Sequence, residues 1–162
     1  MTNHFSRLEP LEMSLGGILY QVVFSASLTG NQTTYLQIKT GAVSPLITMY
    51  ELESSAEPLK VTALETPTVT NGTTAITPRN LNRTKATTAT TQFFSDPTGI
   101  SGGTTLDITI VTAGKGSGSS AENHGAWKLK TDTSYIWKLE QLTNQVTTVV
   151  GRIIFSEGYG TF

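Results

Sequence analysis

Catalysis requires an acid, base, nucleophile or metal ligand held beside its partner group, and few side chains of this 162-residue chain qualify. There are two histidines and no cysteine. His4 lies near the start, and His124 follows a glycine-serine run with Glu122 as its nearest carboxylate. Neither histidine has a second ligand at metal spacing, so both read as exposed residues. Glu51 and Glu53 are two apart and share one face of a strand, where they cannot flank a glycosidic bond. Nothing in the sequence brings Asp107 to Asp132. Residues 114–120 are rich in glycine but lack the GxxxxGK[ST] frame that cradles phosphate ahead of a helix. The expectation is a protein that is not an enzyme and carries no metal or cofactor.

Two groups of residues have binding character instead. Arg79, Arg83 and Lys85 gather three cations within seven positions of an otherwise neutral chain. They suit an acidic patch on a protein partner, or phosphate or sugar acid groups, but read more readily as a solvated loop whose Asn80 and Asn82 bond local backbone. Trp127, Tyr135 and Trp137 could stack against a sugar ring. Their phase with the aliphatic residues of their own segments places them in the core.

The elements that would position these residues are strands. Ile18, Tyr20, Val22, Phe24, Ala26 and Leu28 alternate with smaller or polar residues, the period of a half-buried strand. Thr34, Leu36 and Ile38 continue after a turn at Gly30-Asn31. Leu46, Thr48, Tyr50 and Leu52 make a third strand, and Val61 to Leu64 a fourth. Asn71-Gly72 between threonine-rich flanks signals a hairpin. A loop runs from Pro78 to about Lys85, residues 86–94 suit a strand, and Asp96-Pro97-Thr98-Gly99 marks a turn. Leu106, Ile108 and Ile110 alternate with Thr105, Asp107 and Thr109 and read as a core-facing strand. Residues 114–120 read as a flexible loop. Trp127 and Leu129, then Tyr135, Trp137 and Leu139, then Val149 to Phe155 complete eight to ten strands.

This pattern predicts an all-β fold, a jelly-roll-like antiparallel β-sandwich over residues 18–162. Residues 1–17 form an N-terminal arm in which Phe5, Leu8, Leu11 and Met13 are apolar anchors for a partner surface. Composition agrees. Threonine supplies about 18% of the chain, and β-branched side chains suit pleated sheets. Only 14% of residues are charged, against about 25% in ordinary domains. A net charge of −1 and a pI near 6.1 provide no field to draw in nucleic acid or anionic membrane. No run approaches the ~20 apolar residues of a membrane-crossing helix. The opening residues lack the basic-then-apolar order of a secretory signal.

One further pattern is a resemblance. The run Gly72-Thr73-Thr74-Ala75-Ile76-Thr77-Pro78-Arg79-Asn80-Leu81-Asn82-Arg83-Thr84 resembles a "GTAVTPxNLNR" segment of small structural proteins of tailed bacteriophages. So does the order of a glycine-serine loop, Trp127-Lys128-Leu129-Lys130, Thr133-Ser134-Tyr135-Ile136-Trp137-Lys138-Leu139 and a final apolar strand. Relatives often carry proline near Thr131-Asp132, where this chain has none. The resemblance implies a virion protein made in the bacterial cytoplasm that decorates a capsid as a homotrimer and bridges major capsid subunits. Arg79, Arg83 and Lys85 would then join the arm in contacting the shell. A receptor- or carbohydrate-binding head of a tail or fibre is the alternative, with residues 79–85 and 114–125 as its surface.

Overall fold

In a computed structural model of the chain, the described residues are 18–112, 119–123 and 127–158. The arm, with Phe5, Leu8, Leu11 and Met13, lies outside them, as do His4 and His124. Fourteen strands follow one another with no helix among the described residues. They are β1 (Leu19–Thr29), β2 (Thr33–Lys39), β3 (Leu46–Ser54), β4 (Leu59–Glu65), β5 (Thr68–Thr70), β6 (Thr74–Ile76) and β7 (Arg79–Asn80). After these come β8 (Gln92–Ser95), β9 (Thr98–Ser101), β10 (Thr104–Val111), β11 (Ser119–Asn123), β12 (Trp127–Lys128), β13 (Ser134–Gln141) and β14 (Val146–Ser156).

All pairings are antiparallel, and the main strands form two facing sheets. One has the order β11-β3-β14-β1-β7, with β12 also on β3. The other has the order β10-β4-β13-β2-β8-β6, while β5 and β9 form a separate ribbon. The alternation that predicts β1 holds over its length. Tyr20, Val22, Phe24 and Leu28 turn inward, and so do Val149, Ile153 and Phe155 of its partner β14. From the other sheet Leu36, Ile38, Tyr135, Trp137, Leu139, Val61 and Leu59 close the interior. Burying one such side chain contributes roughly 1.5–3 kcal/mol, so the inward set is what holds the sheets face to face.

Between β4 and β10 the chain makes a long excursion, residues 66–103, that crosses the molecule and returns. On the way β7 pairs with the open side of β1 at Tyr20 and Gln21. β8 pairs with the open side of β2, and β6 with β8. One flank of the sandwich is thereby sealed in both sheets. Phe93 of β8 reaches inside and lies 5.3 Å from Phe155, which stacks on Tyr20 at 5.5 Å.

Asn71-Gly72 does not close a hairpin. Its flanks pair elsewhere, β5 with β9 and β6 with β8, so the dipeptide is a corner between two sheets. Glycine is required there for space, since a Cβ would stand 1.9 Å from the Ser95 carbonyl oxygen. The corner is fixed by Gln37, a fully buried side chain on the outer side of its sheet. Its amide nitrogen donates to Asn71 Oδ1 at 3.0 Å, and its oxygen accepts the Gly72 N–H at 3.3 Å. Residues 86–91, expected in a strand, are irregular, and Ser119-Ser120, expected in a loop, open β11.

Gly151 sits opposite Phe24 in the β1–β14 ladder, and the Phe24 ring covers it so closely that a Cβ would come within 2.1 Å. Gly151→Ala is therefore expected to destabilise the fold by about 1–3 kcal/mol, the cost of overpacking a core. Urea denaturation of the variant against the parent measures it.

Candidate interaction surfaces

Arg79, Arg83 and Lys85 are all exposed on the sealed flank, and the loop that bears them is pinned at several points. Leu81 N–H donates to the Leu19 carbonyl at 2.9 Å, continuing the contact of β7 with β1. Buried Asn80 donates to the Thr87 carbonyl at 3.2 Å and the Thr87 hydroxyl at 2.8 Å. Its Oδ1 accepts the Asn82 N–H at 2.8 Å. Asn82 Oδ1 in turn accepts the Thr84 N–H at 3.1 Å and hydroxyl at 2.7 Å. The two asparagines thus form the local turns expected of them. Among the described residues no carboxylate pairs with any of the three cations.

Further along, the loop is anchored by a residue outside the expected binding set. Glu157 is buried, and its carboxylate accepts the Thr90 and Thr91 amides, each at 2.7 Å. Hydrogen bonds to charged acceptors are the stronger kind. A lone acid after the last strand has no pattern that announces such a role.

Among the described residues the opposite flank is open. Here the alternation of β10 misleads, because its ladder with β4 carries a bulge. Thr105 pairs with Leu64 and Asp107 with Ala63, leaving Leu106 as an extra residue. One added residue reverses every side chain beyond it. Asp107, Thr109 and Val111 thus share the face of Ala63, Val61 and Leu59, while Ile108 and Ile110 turn outward, 56% and 50% exposed. Leu106 is also 42% exposed.

Inside this flank Tyr50 packs edge-on against Trp127 at 6.3 Å and Trp137 at 5.0 Å. Trp137 and Tyr135 are buried and Trp127 is half-buried against the core, so the rings serve packing. The crevice that they line with Val61, Ala63, Asp107 and Thr109 has about 10 Å³, room for roughly one water. β7 and β11 are at opposite ends of one sheet. The basic loop and the described part of residues 114–125 therefore do not form one surface.

Several other titratable groups are bound into structural contacts. Lys130 Nζ lies 2.6 Å from Glu65 Oε1, and the Tyr135 hydroxyl donates to Oε2 at 3.0 Å. The Lys130 N–H donates to that same hydroxyl at 2.9 Å. The bond from Lys130, aided by Tyr135, holds the Glu65 carboxyl below its ordinary range. Burial, and after it the Glu65 charge, raises Tyr135. Glu140 is lowered chiefly by its bond to Lys138, with Lys60 adding to the effect. Glu51 pairs with Arg152 at 3.4 Å. Asp107 and Asp132 are not brought together. No cluster of three metal-ligand side chains occurs among the described residues.

A depressed folded-state carboxyl contributes stability above the unfolded pKa, and this is lost as pH falls through the folded value. Stability is expected to decline below about pH 4.5, and Glu65→Gln with Glu140→Gln to flatten that decline. Tyr135, raised when folded, makes stability fall again above pH 10. Chemical denaturation from pH 3 to 11 measures both limbs.

Compared with protein-family models, curated proteins and solved structures, the chain has no match.

Proposed function

We propose that this chain is a non-enzymatic structural protein of a tailed-phage particle. It sits on the outer surface of the capsid and stabilises it by bridging neighbouring major capsid subunits. The resemblance of residues 72–84 and 127–139 supports this reading. So does the winding of the sheets. The main strands alternate between them from β1 to β4 and again from β10 through β11 and β13 to β14, while β4 and β10 lie side by side in one sheet, giving the orders β1-β14-β3-β11 and β2-β13-β4-β10. That order is consistent with the two Greek keys of a jelly roll, a scaffold used in capsids and also in lectins. Because one fold hosts many functions, the winding does not carry the proposal.

The observation that carries it is the pinned basic loop. Three cations with no carboxylate partner among the described residues stand on a segment that two asparagines and a buried glutamate fix in place. Little conformational freedom is then lost on docking, and charge complementarity would orient the protein on an acidic shell. The arm, with Phe5, Leu8, Leu11 and Met13, supplies apolar anchors. A standard interface of ~1,600 Å² derives most of its affinity from a few such residues.

The test is binding of the full chain to capsids that lack it, over a range of salt. Joint replacement of Arg79, Arg83 and Lys85 by alanine should weaken binding by roughly tenfold and flatten its salt dependence. Deleting residues 1–15 should weaken it separately. If both variants bind like the parent, neither surface contacts the shell and the proposal fails.

A further inference from the structure

The open flank carries a feature that proteins ordinarily avoid. Sheet edges are protected against pairing by lysine, proline, short length, cover, bulges or inward-pointing charges. β10 is eight residues long, ends its sheet among the described residues, and contains no lysine, arginine or proline. Its bulge at Leu106 and its inward Asp107 precede the regular stretch of residues 108–111. It also presents Ile108 and Ile110 outward.

Its sequence is self-complementary. Ile108-Thr109-Ile110 reads the same in either direction. Two such strands laid antiparallel with Thr109 opposite Thr109 place Ile108 against Ile110 twice, on one face. Apolar cross-strand pairs of this kind are stabilising. The backbone fits the same register. The Ile108 N–H donates to Asp107 Oδ1 at 2.8 Å rather than to β4, and so faces the edge. Ile110, two residues on, presents its backbone in the same direction. Ile108 and Ile110 of two copies can then exchange both their N–H and carbonyl bonds.

Charge agrees as well. Asp107 is the one charged residue of β10, and in this register it faces Val111 of the other strand. The two carboxylates stand four residues apart along the ladder, about 14 Å at ~3.4 Å per residue, beyond the screening length at physiological salt. A pairing centred on Asp107 would oppose them directly.

We propose that β10 pairs antiparallel with β10 of a second copy, about a two-fold axis at Thr109, joining two sandwiches through one continuous sheet. The interface is isologous, unlike the trimer that the phage resemblance implies, and it does not depend on the proposed function. The Asp107 carboxylate competes for the Ile108 N–H, so the pairing is reversible.

The absence of cysteine makes the test direct. Thr109→Cys introduces one thiol, and Cα atoms of a non-hydrogen-bonded antiparallel pair lie ~4.5 Å apart, within disulfide reach. Mild oxidation of the full chain should give a cross-linked dimer, whereas Thr148→Cys, exposed on the other sheet, should not. Adding Ile108→Lys and Ile110→Lys to Thr109→Cys should slow cross-linking at least tenfold without altering the circular dichroism. Sedimentation of the parent should show a concentration-dependent dimer. Equal cross-linking at both cysteine positions, indifference to the lysines, or a parent that stays monomeric or forms trimers overturns the proposal.

Discussion

A sheet ends in a row of backbone donors and acceptors that must bond to something, and this constraint organises the whole molecule. The excursion between β4 and β10 answers it on one flank. β7 takes the free side of β1, and β8 takes the free side of β2. The same segment inserts Phe93 beside Phe155, so that closing the edge and filling the core are one event. Among the described residues no equivalent segment pairs with β10, and its outer side stays unpaired.

The two flanks consequently differ in chemistry. The sealed one is rigid and polar, with a buried carboxylate and two asparagines satisfying the backbone of an irregular stretch. Such a stretch is tolerable at a protein surface only when its amides and carbonyls find partners. Among the described residues no carboxylate pairs with the cations, which leaves their charge available to other molecules. The open flank is apolar along its rim and aromatic behind it. There the rings of Tyr50, Trp127 and Trp137 close the mouth between the sheets almost completely.

Glu65, Tyr135 and Lys130 bond one another where β4 and β13 end together. The shifted acidities of Glu65 and Tyr135 arise from mutual contact and burial, as in structural ion-pair networks. Glu140 is held between two lysines on the outer side of the same sheet. These contacts secure strand ends and tie neighbouring strands together.

The sequence alone determined the all-β class and the facing of the long strands. In β1, β13 and β14 one whole face is buried, so the period of two is written directly in the apolar residues. It also placed the aromatic residues in the core and the asparagine turns around Arg83. Tertiary structure decided the rest. Bulges opposite Ala63 in β10, and at Thr48 where Ile47 takes the inward place beside Phe155, reverse the phase that the apolar spacing suggests. A bulge is set by the partner strand, which local periodicity does not contain. The corner at Gly72, the burial of Gln37 and the anchoring by Glu157 join residues 35 to 67 positions apart. Such pairings exist only once the sheets have stacked, because only then do those polar groups lose water and need one another.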